Sequence, residues 1–160
     1  MSHNIVKIFC KAALVLLGVA MFNPAAIAAD APDNFQVVDG VAIYLGVMPA
    51  RIVEGYPRDH SESKMHGGVP SGHRDHIVVA LFDNATGKRI ENAQVMGSVM
   101  EIGLGSKQRK LEAMRVAGTI TYGNYFNMPD NSTYHIKIMI RRPGIKGVVE
   151  TQFTHRHFKD

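Results

Sequence analysis

Tyr134-His135-Ile136-Lys137-Ile138-Met139-Ile140-Arg141 alternates without a break, Tyr134, Ile136, Ile138 and Ile140 in one phase and His135, Lys137, Met139 and Arg141 in the other. Successive side chains of a strand point to opposite faces, so this stretch reads as a strand with one face on a core and one in water. Arg142-Pro143-Gly144 ends it with a turn signal. The same period recurs outward from it. On the N-terminal side, Thr119-Ile120-Thr121-Tyr122-Gly123-Asn124-Tyr125-Phe126-Asn127-Met128-Pro129 is aromatic-rich and closes at a proline. On the C-terminal side, Val148 to Phe158 sets Val149, Phe153, His155 and His157 in one phase. His76-Ile77-Val78-Val79-Ala80-Leu81-Phe82 is a continuous apolar run of strand length, bounded by Asp83-Asn84-Ala85-Thr86-Gly87, and fits a strand covered on both sides. Earlier still, Val41, Ile43, Leu45 and Val47 alternate with Ala42, Tyr44, Gly46 and Met48 until Pro49, and Asp39-Gly40 is a turn that would fold the stretch from Phe35 into a bent pair. A short apolar piece follows around Ile52-Val53. Ala93 to Ile102 and Lys110 to Met114 read as the arms of a hairpin turned at Gly103-Leu104-Gly105-Ser106. Turns every ten residues or so and the absence of a helical period predict an all-β, two-sheet antiparallel sandwich of about seven strands.

Residues 1–28 read differently. Lys7 and Lys11 precede the apolar run from Ala12 to Phe22, followed by Pro24 and the small-residue pattern Ala26-Ile27-Ala28. That is the plan of a cleaved secretory signal peptide. The run is about eleven residues long, short of the roughly 20 that a membrane helix needs, so no stable membrane anchor is expected after cleavage. The expectation is therefore a soluble, exported, periplasmic domain over 29–160, large enough at roughly 130 residues to bury a core unaided. Cys10 is the single cysteine and leaves with the signal, so no disulfide is available to the mature domain. The charge balance is mild, 18 Lys+Arg against 14 Asp+Glu, with no like-charged run beyond Lys107-Gln108-Arg109-Lys110, which together with export argues against nucleic acid.

Chemistry concentrates in 60–76, His60-Ser61-Glu62-Ser63-Lys64-Met65-His66-Gly67-Gly68-Val69-Pro70-Ser71-Gly72-His73-Arg74-Asp75-His76, too rich in Gly, Pro and Ser to be regular structure. Imidazole and thioether suit copper, and the glycines let several side chains turn toward one point. Near the C-terminus, His155 and His157 lie two residues apart on a strand, which points both rings to one side at roughly 7 Å between Cα atoms. If the last strand lies beside the one that opens at His76, loop and tail meet at one end of the sandwich. The candidate metal ligands are His66, His73, His76, His155 and His157, with Met65 as the soft optional donor. His60 is separated from the others by Ser61 to Lys64, and His135 faces water with nothing near it in sequence to complete a site. Asp59 and Asp75 stand next to His60 and His76 as carboxylates able to orient an imidazole, although neighbours on a strand face opposite ways. Met96 and Met100 share a strand face and read as core fillers, with a sulfur-rich patch as the alternative. Met114, Met128 and Met139 are scattered and receive no role. The bland alternative for each histidine is a solvated loop or surface residue. Nothing assembles a nucleophile with its base, so no enzyme is expected.

Asp130-Asn131-Ser132-Thr133-Tyr134-His135-Ile136 resembles the turn-then-tyrosine approach to a late strand of immunoglobulin-like domains, in which the tyrosine hydroxyl bonds back to backbone. Over Asp75 to His157, the order of features is similar to the exported YtkA-like or FixH-like β-sandwich proteins: the His76-to-Phe82 strand, the Asn84-Ala85-Thr86-Gly87-Lys88 turn, the Ile90-Glu91-Asn92-Ala93 entry, a glycine-interrupted Met-bearing strand, Tyr122-Gly123-Asn124-Tyr125-Phe126, and Arg141-Arg142-Pro143-Gly144. That resemblance implies an immunoglobulin-like envelope sandwich of a group met near copper handling or oxidase assembly, and it carries no catalytic residues. The functional expectation is a periplasmic carrier, buffer or delivery protein for a metal ion, copper first, with iron or zinc possible. The rival is an envelope interaction module that binds a protein partner, such as an oxidase or transporter component, without metal.

Overall fold

The computed structural model describes residues 33–55, 68, 70, 72 and 74–158. The proposed signal over 1–28 and the loop residues His60, Met65, His66 and His73 lie outside them. Eight strands form: β1 Phe35–Val38, β2 Val41–Pro49, β3 Arg74–Asp83, β4 Gln94–Glu101, β5 Lys107–Val116, β6 Thr119–Asn127, β7 Thr133–Arg141 and β8 Val149–Arg156, with one helical turn, α1, at Ala50–Glu54. The all-β sandwich expected from the alternation is present, with one strand more than expected because Asp39-Gly40 does turn the first stretch into a pair. Both residues have positive φ, 48° and 73°, a conformation that Gly40 adopts without strain. The apolar piece around Ile52-Val53 becomes α1 after the proline that ends β2.

The strands are hydrogen-bonded in the order β1-β2-β3-β6-β5-β4-β7-β8, all antiparallel. β5 makes two layers out of this one sheet. Its first half pairs with β4, from Val99↔Lys107 to Val95↔Leu111, and its second half pairs with β6, from Glu112↔Gly123 to Val116↔Thr119. The far edges nearly close the sheet on itself: Gln36 on β1 donates to the carbonyl of Gln152 on β8 at 2.9 Å, and the Thr151 hydroxyl donates to the Gln36 side-chain oxygen. Ile43, Ile77, Val79 and Leu81 from one layer meet Ile136, Ile138, Ile140 and Phe153 from the other in one core. Each contributes on the order of 1.5–3 kcal/mol by burial, so the phase of β7 alone fixes which face of that strand is inside.

Two tyrosine hydroxyls tie loops to this core. Tyr122 donates to the Ile90 carbonyl at 3.2 Å and accepts the Ala93 N–H at 3.0 Å. Tyr134 donates to the Pro129 carbonyl at 2.7 Å, the back-bond its turn-then-tyrosine setting implies. Met96 and Met100 correct the core-filler reading. Both are only half-buried on the outer face of β4, because the inward phase there belongs to Val95, Gly97 and Val99 packing on Leu111 and β7. Among the described residues no helix is long and apolar enough to cross a membrane.

Candidate metal centre

His76, the third residue of β3, lies between Met48 of β2 and Tyr125 of β6, its direct register partners. Ile77, Val79 and Leu81 point into the core, so alternation sends the His76 ring to the outer face of the sheet. It is nevertheless fully buried there, at 0 % exposure. The ring stacks on Tyr125 at 4.6 Å between centroids and 27° between planes. Beside it lies Gly123 of β6, and the missing side chain is what makes room. A Cβ built at 123 would stand 2.8 Å from His76 Nε2, 2.5 Å from Met114 Cε and 2.9 Å from the Ile77 carbonyl oxygen. The imidazole nitrogen and the end of the Met114 side chain therefore share one small space above a glycine. Met114 is 1 % exposed although it too lies on an outward phase of β5. Glu112, exposed, is the direct register partner of Gly123. An imidazole, two thioether residues and a carboxylate residue thus share the outer face of four adjacent strands, β2, β3, β6 and β5.

The C-terminal imidazoles stand on the other side of the sheet. Asp75, one residue before His76, takes the inward phase and is 2 % exposed. Asp75 Oδ2 is 3.3 Å from His157 Nδ1, and Asp130 Oδ1 is 3.7 Å from Nε2 of the same ring. Nδ1 also lies 2.9 Å from the Met128 carbonyl, to which it donates, and the His157 N–H donates to the Ser132 carbonyl at 2.9 Å. His157 thereby holds the turn between β6 and β7 that Tyr134 holds from within. A cleft of about 150 Å3 opens on Asp75, Asp130 and His157, walled by Arg51 and Arg74. The His155 ring is 6.1 Å from that of His157, and burial first, His157 second, pushes its pKa below the usual value.

β8 pairs with β7 and does not lie beside β3, so the expected juxtaposition of those two strands is not found; the tail reaches the start of β3 through the contact of His157 with Asp75, and the His76 ring stands on the opposite face from both C-terminal rings. Among the described residues no three His, Cys, Asp or Glu side chains are arranged to hold one ion. Met65, His66 and His73 fall outside the described residues. Met114, Met48 and Gly123 are the members that sequence reasoning missed. A signal for Gly123 was available, since a glycine inside an aromatic strand marks close approach of another group. Met114 had none, because its neighbour is far away in the chain.

No protein-family profile and no curated protein matches the sequence. Solved structures do match in shape. A DUF4426 family protein from Pseudomonas aeruginosa PAO1 is 19% identical, with 79% of this chain and 94% of that chain covered and a TM-score of 0.64. A copper-bound variant of FetP from uropathogenic Escherichia coli strain F11 is 11% identical, with 77% and 93% covered and a TM-score of 0.56. A copper-bound variant of Campylobacter jejuni P19 is 10% identical, with 79% and 96% covered and a TM-score of 0.56. At these identities the likeness is one of fold. These neighbours bear other family names than the YtkA-like or FixH-like proteins that the sequence resembles.

Proposed function

We propose that this is an exported, periplasmic copper-binding protein that carries, buffers or delivers the ion, a binder and not an enzyme. The observation that carries the reading is His76, buried on the outer face of the sheet with the end of Met114 beside it over Gly123 and Met48 as its register partner on β2. This donor set fits copper. Thioether sulfur selects the soft Cu(I), imidazole accepts either oxidation state, and zinc or iron would make poor use of the methionines. The fold shared with two proteins whose structures are copper-bound supports the reading. Met65, His66 and His73 stand shortly before His76 in the chain and are further donors of the same type. His155 and His157, the other donors named from sequence, occupy a second position with Asp75, where His157 holds the turn.

The experiment is a Cu(I) titration of the purified chain under argon against a competing chelator. His76→Ala and Met114→Leu are each expected to weaken binding at least about tenfold, or about 1.4 kcal/mol. Leucine keeps the volume of methionine at a cost usually below about 1.5 kcal/mol, so the second variant reports the sulfur and not the packing. His155→Ala with His157→Ala is expected to change affinity less. Equal affinity in the parent and both of the first two variants removes the centre.

A protein-binding role without metal is the second reading, favoured by an aromatic groove of about 540 Å3 on the outer face at the far end of β2 and β3. Phe35, Tyr44 and Phe82 line it, with Tyr44 4.6 Å from Phe35 and 5.6 Å from Phe82. A melting midpoint unmoved by copper would favour this reading, since a ligand that binds only the folded form raises it.

A further inference from the structure

We propose that the outer face of the β4–β7 layer carries a separate position for a soft monovalent cation, Cu(I) or Ag(I), held by the Met100 sulfur and an imidazole nitrogen of His135. The two residues lie far apart in sequence but are direct partners in the antiparallel register. Directly opposed side chains have Cβ atoms about 4.5–5.5 Å apart, a gap that one ion bound from both sides can bridge. Both are half-buried, open enough for an ion to enter and packed enough to limit their rotamers. On the β8 side the Thr154 hydroxyl stands 3.4 Å from His135 Nδ1, which steadies the ring and leaves Nε2 for the ion.

The same face offers a competing pair, and charge decides between them. Met96 lies opposite Met139, whose sulfur accepts a hydrogen bond from Gln108 Nε2 at 3.5 Å, in a groove of about 470 Å3 that also contains Lys110 and Arg141. Four residues along a strand is roughly 13 Å, so one ion cannot serve both pairs. At the Met96 end Lys110 and Arg141 outnumber the one carboxylate of the groove, Glu150, which stands opposite Met139, and the Met139 sulfur is already engaged. Lys137, opposite Ser98 and so midway between the two pairs, is paired with Glu150. Two neutral donors, one of them sulfur, hold a soft monovalent ion and give little to a hard divalent one. The position lies on the opposite layer from His76 and does not depend on the function proposed above.

The test is an Ag(I) titration of the purified chain labelled with 13C at the methionine methyls. The Met100 methyl and the His135 ring signals are expected to move together and saturate, with Met96 and Met139 moving less. Met100→Leu combined with His135→Gln should lower bound Ag(I) by about one equivalent without changing the melting curve, because both side chains are half-exposed. In a His76→Ala chain the Met100 shift should persist, which separates this position from the other centre. An unmoved Met100 methyl in the parent, or an unchanged number of bound ions in the double variant, overturns the proposal.

Discussion

Gly123→Ala isolates the claim that the space over Gly123 is in use. In a strand with open surroundings, alanine gains about 0.5–1 kcal/mol over glycine by restricting the unfolded chain. Here the new Cβ would stand 2.5 Å from Met114 Cε, 2.8 Å from His76 Nε2 and 2.9 Å from the Ile77 carbonyl oxygen. The methionine end can swing aside at small cost. The imidazole is held against Tyr125, and the carbonyl belongs to the backbone of β3, so neither yields without moving the β3–β6 pair. Overpacking of this kind costs about 1–3 kcal/mol, which exceeds the entropic gain and leaves a net loss of about 1–2 kcal/mol. For a domain of this size that is a fall in midpoint of about 3–8 °C. Gly105→Ala is the control, because a Cβ there meets nothing within 4 Å and the residue has no positive φ. Chemical denaturation of both variants, followed by Cu(I) titration, gives the readout. A Gly123→Ala chain as stable as Gly105→Ala, with the parent's copper affinity, would show that the space above Gly123 is neither tight nor part of a binding site.

Tyr134→Phe removes the donor to the Pro129 carbonyl and should lower stability by about 1–3 kcal/mol in urea titrations, whereas a merely solvated hydroxyl would cost nothing measurable. His155 has its pKa held below the usual 6.5, so in mild acid the unfolded chain takes up the proton before the folded one does. Its contribution to stability is full above about pH 6.5 and declines as pH falls through the window beneath, and His155→Gln should flatten that part of the profile. Asp83 has its carboxyl held below the ordinary 3.8, chiefly by the Thr86 hydroxyl at 2.8 Å and then by the Thr86 N–H. Stability from this turn is present above that value and is lost as pH falls through the lower folded-state pKa, so Thr86→Ala should reduce the acid sensitivity seen below about pH 4.

Much of the fold was legible because it rests on a local rule. The isoleucines of β7 and the apolar run of β3 need a buried face whatever they pack against, and the turn at Asp39-Gly40 is written in residues that tolerate positive φ. The candidate site was legible only in its residue types. His76 was found because it stands in a histidine-rich segment, but its partners Met114 and Met48 come from strands whose neighbours in space are not neighbours in sequence. Asp75 is the sequence neighbour of His76, yet it turns to His157. Met96 and Met100 suit a core because methionine fills gaps, yet they lie on the outer face, since periodicity tells two faces apart without saying which of them the second layer covers.

By itself the sequence determined that this chain is all-β and where its strands break, since side-chain alternation and turn chemistry act within a few residues. Only the tertiary structure decided the company each side chain keeps. Strand register brought Gly123, His76 and Met114 to one point, and β5 changed partners midway. A one-residue shift along a strand sends Asp75 inward and His76 outward. That inversion is cheap to encode and cannot be seen until the sheet is assembled, which is why the adjacent Asp75 and His76 face opposite sides.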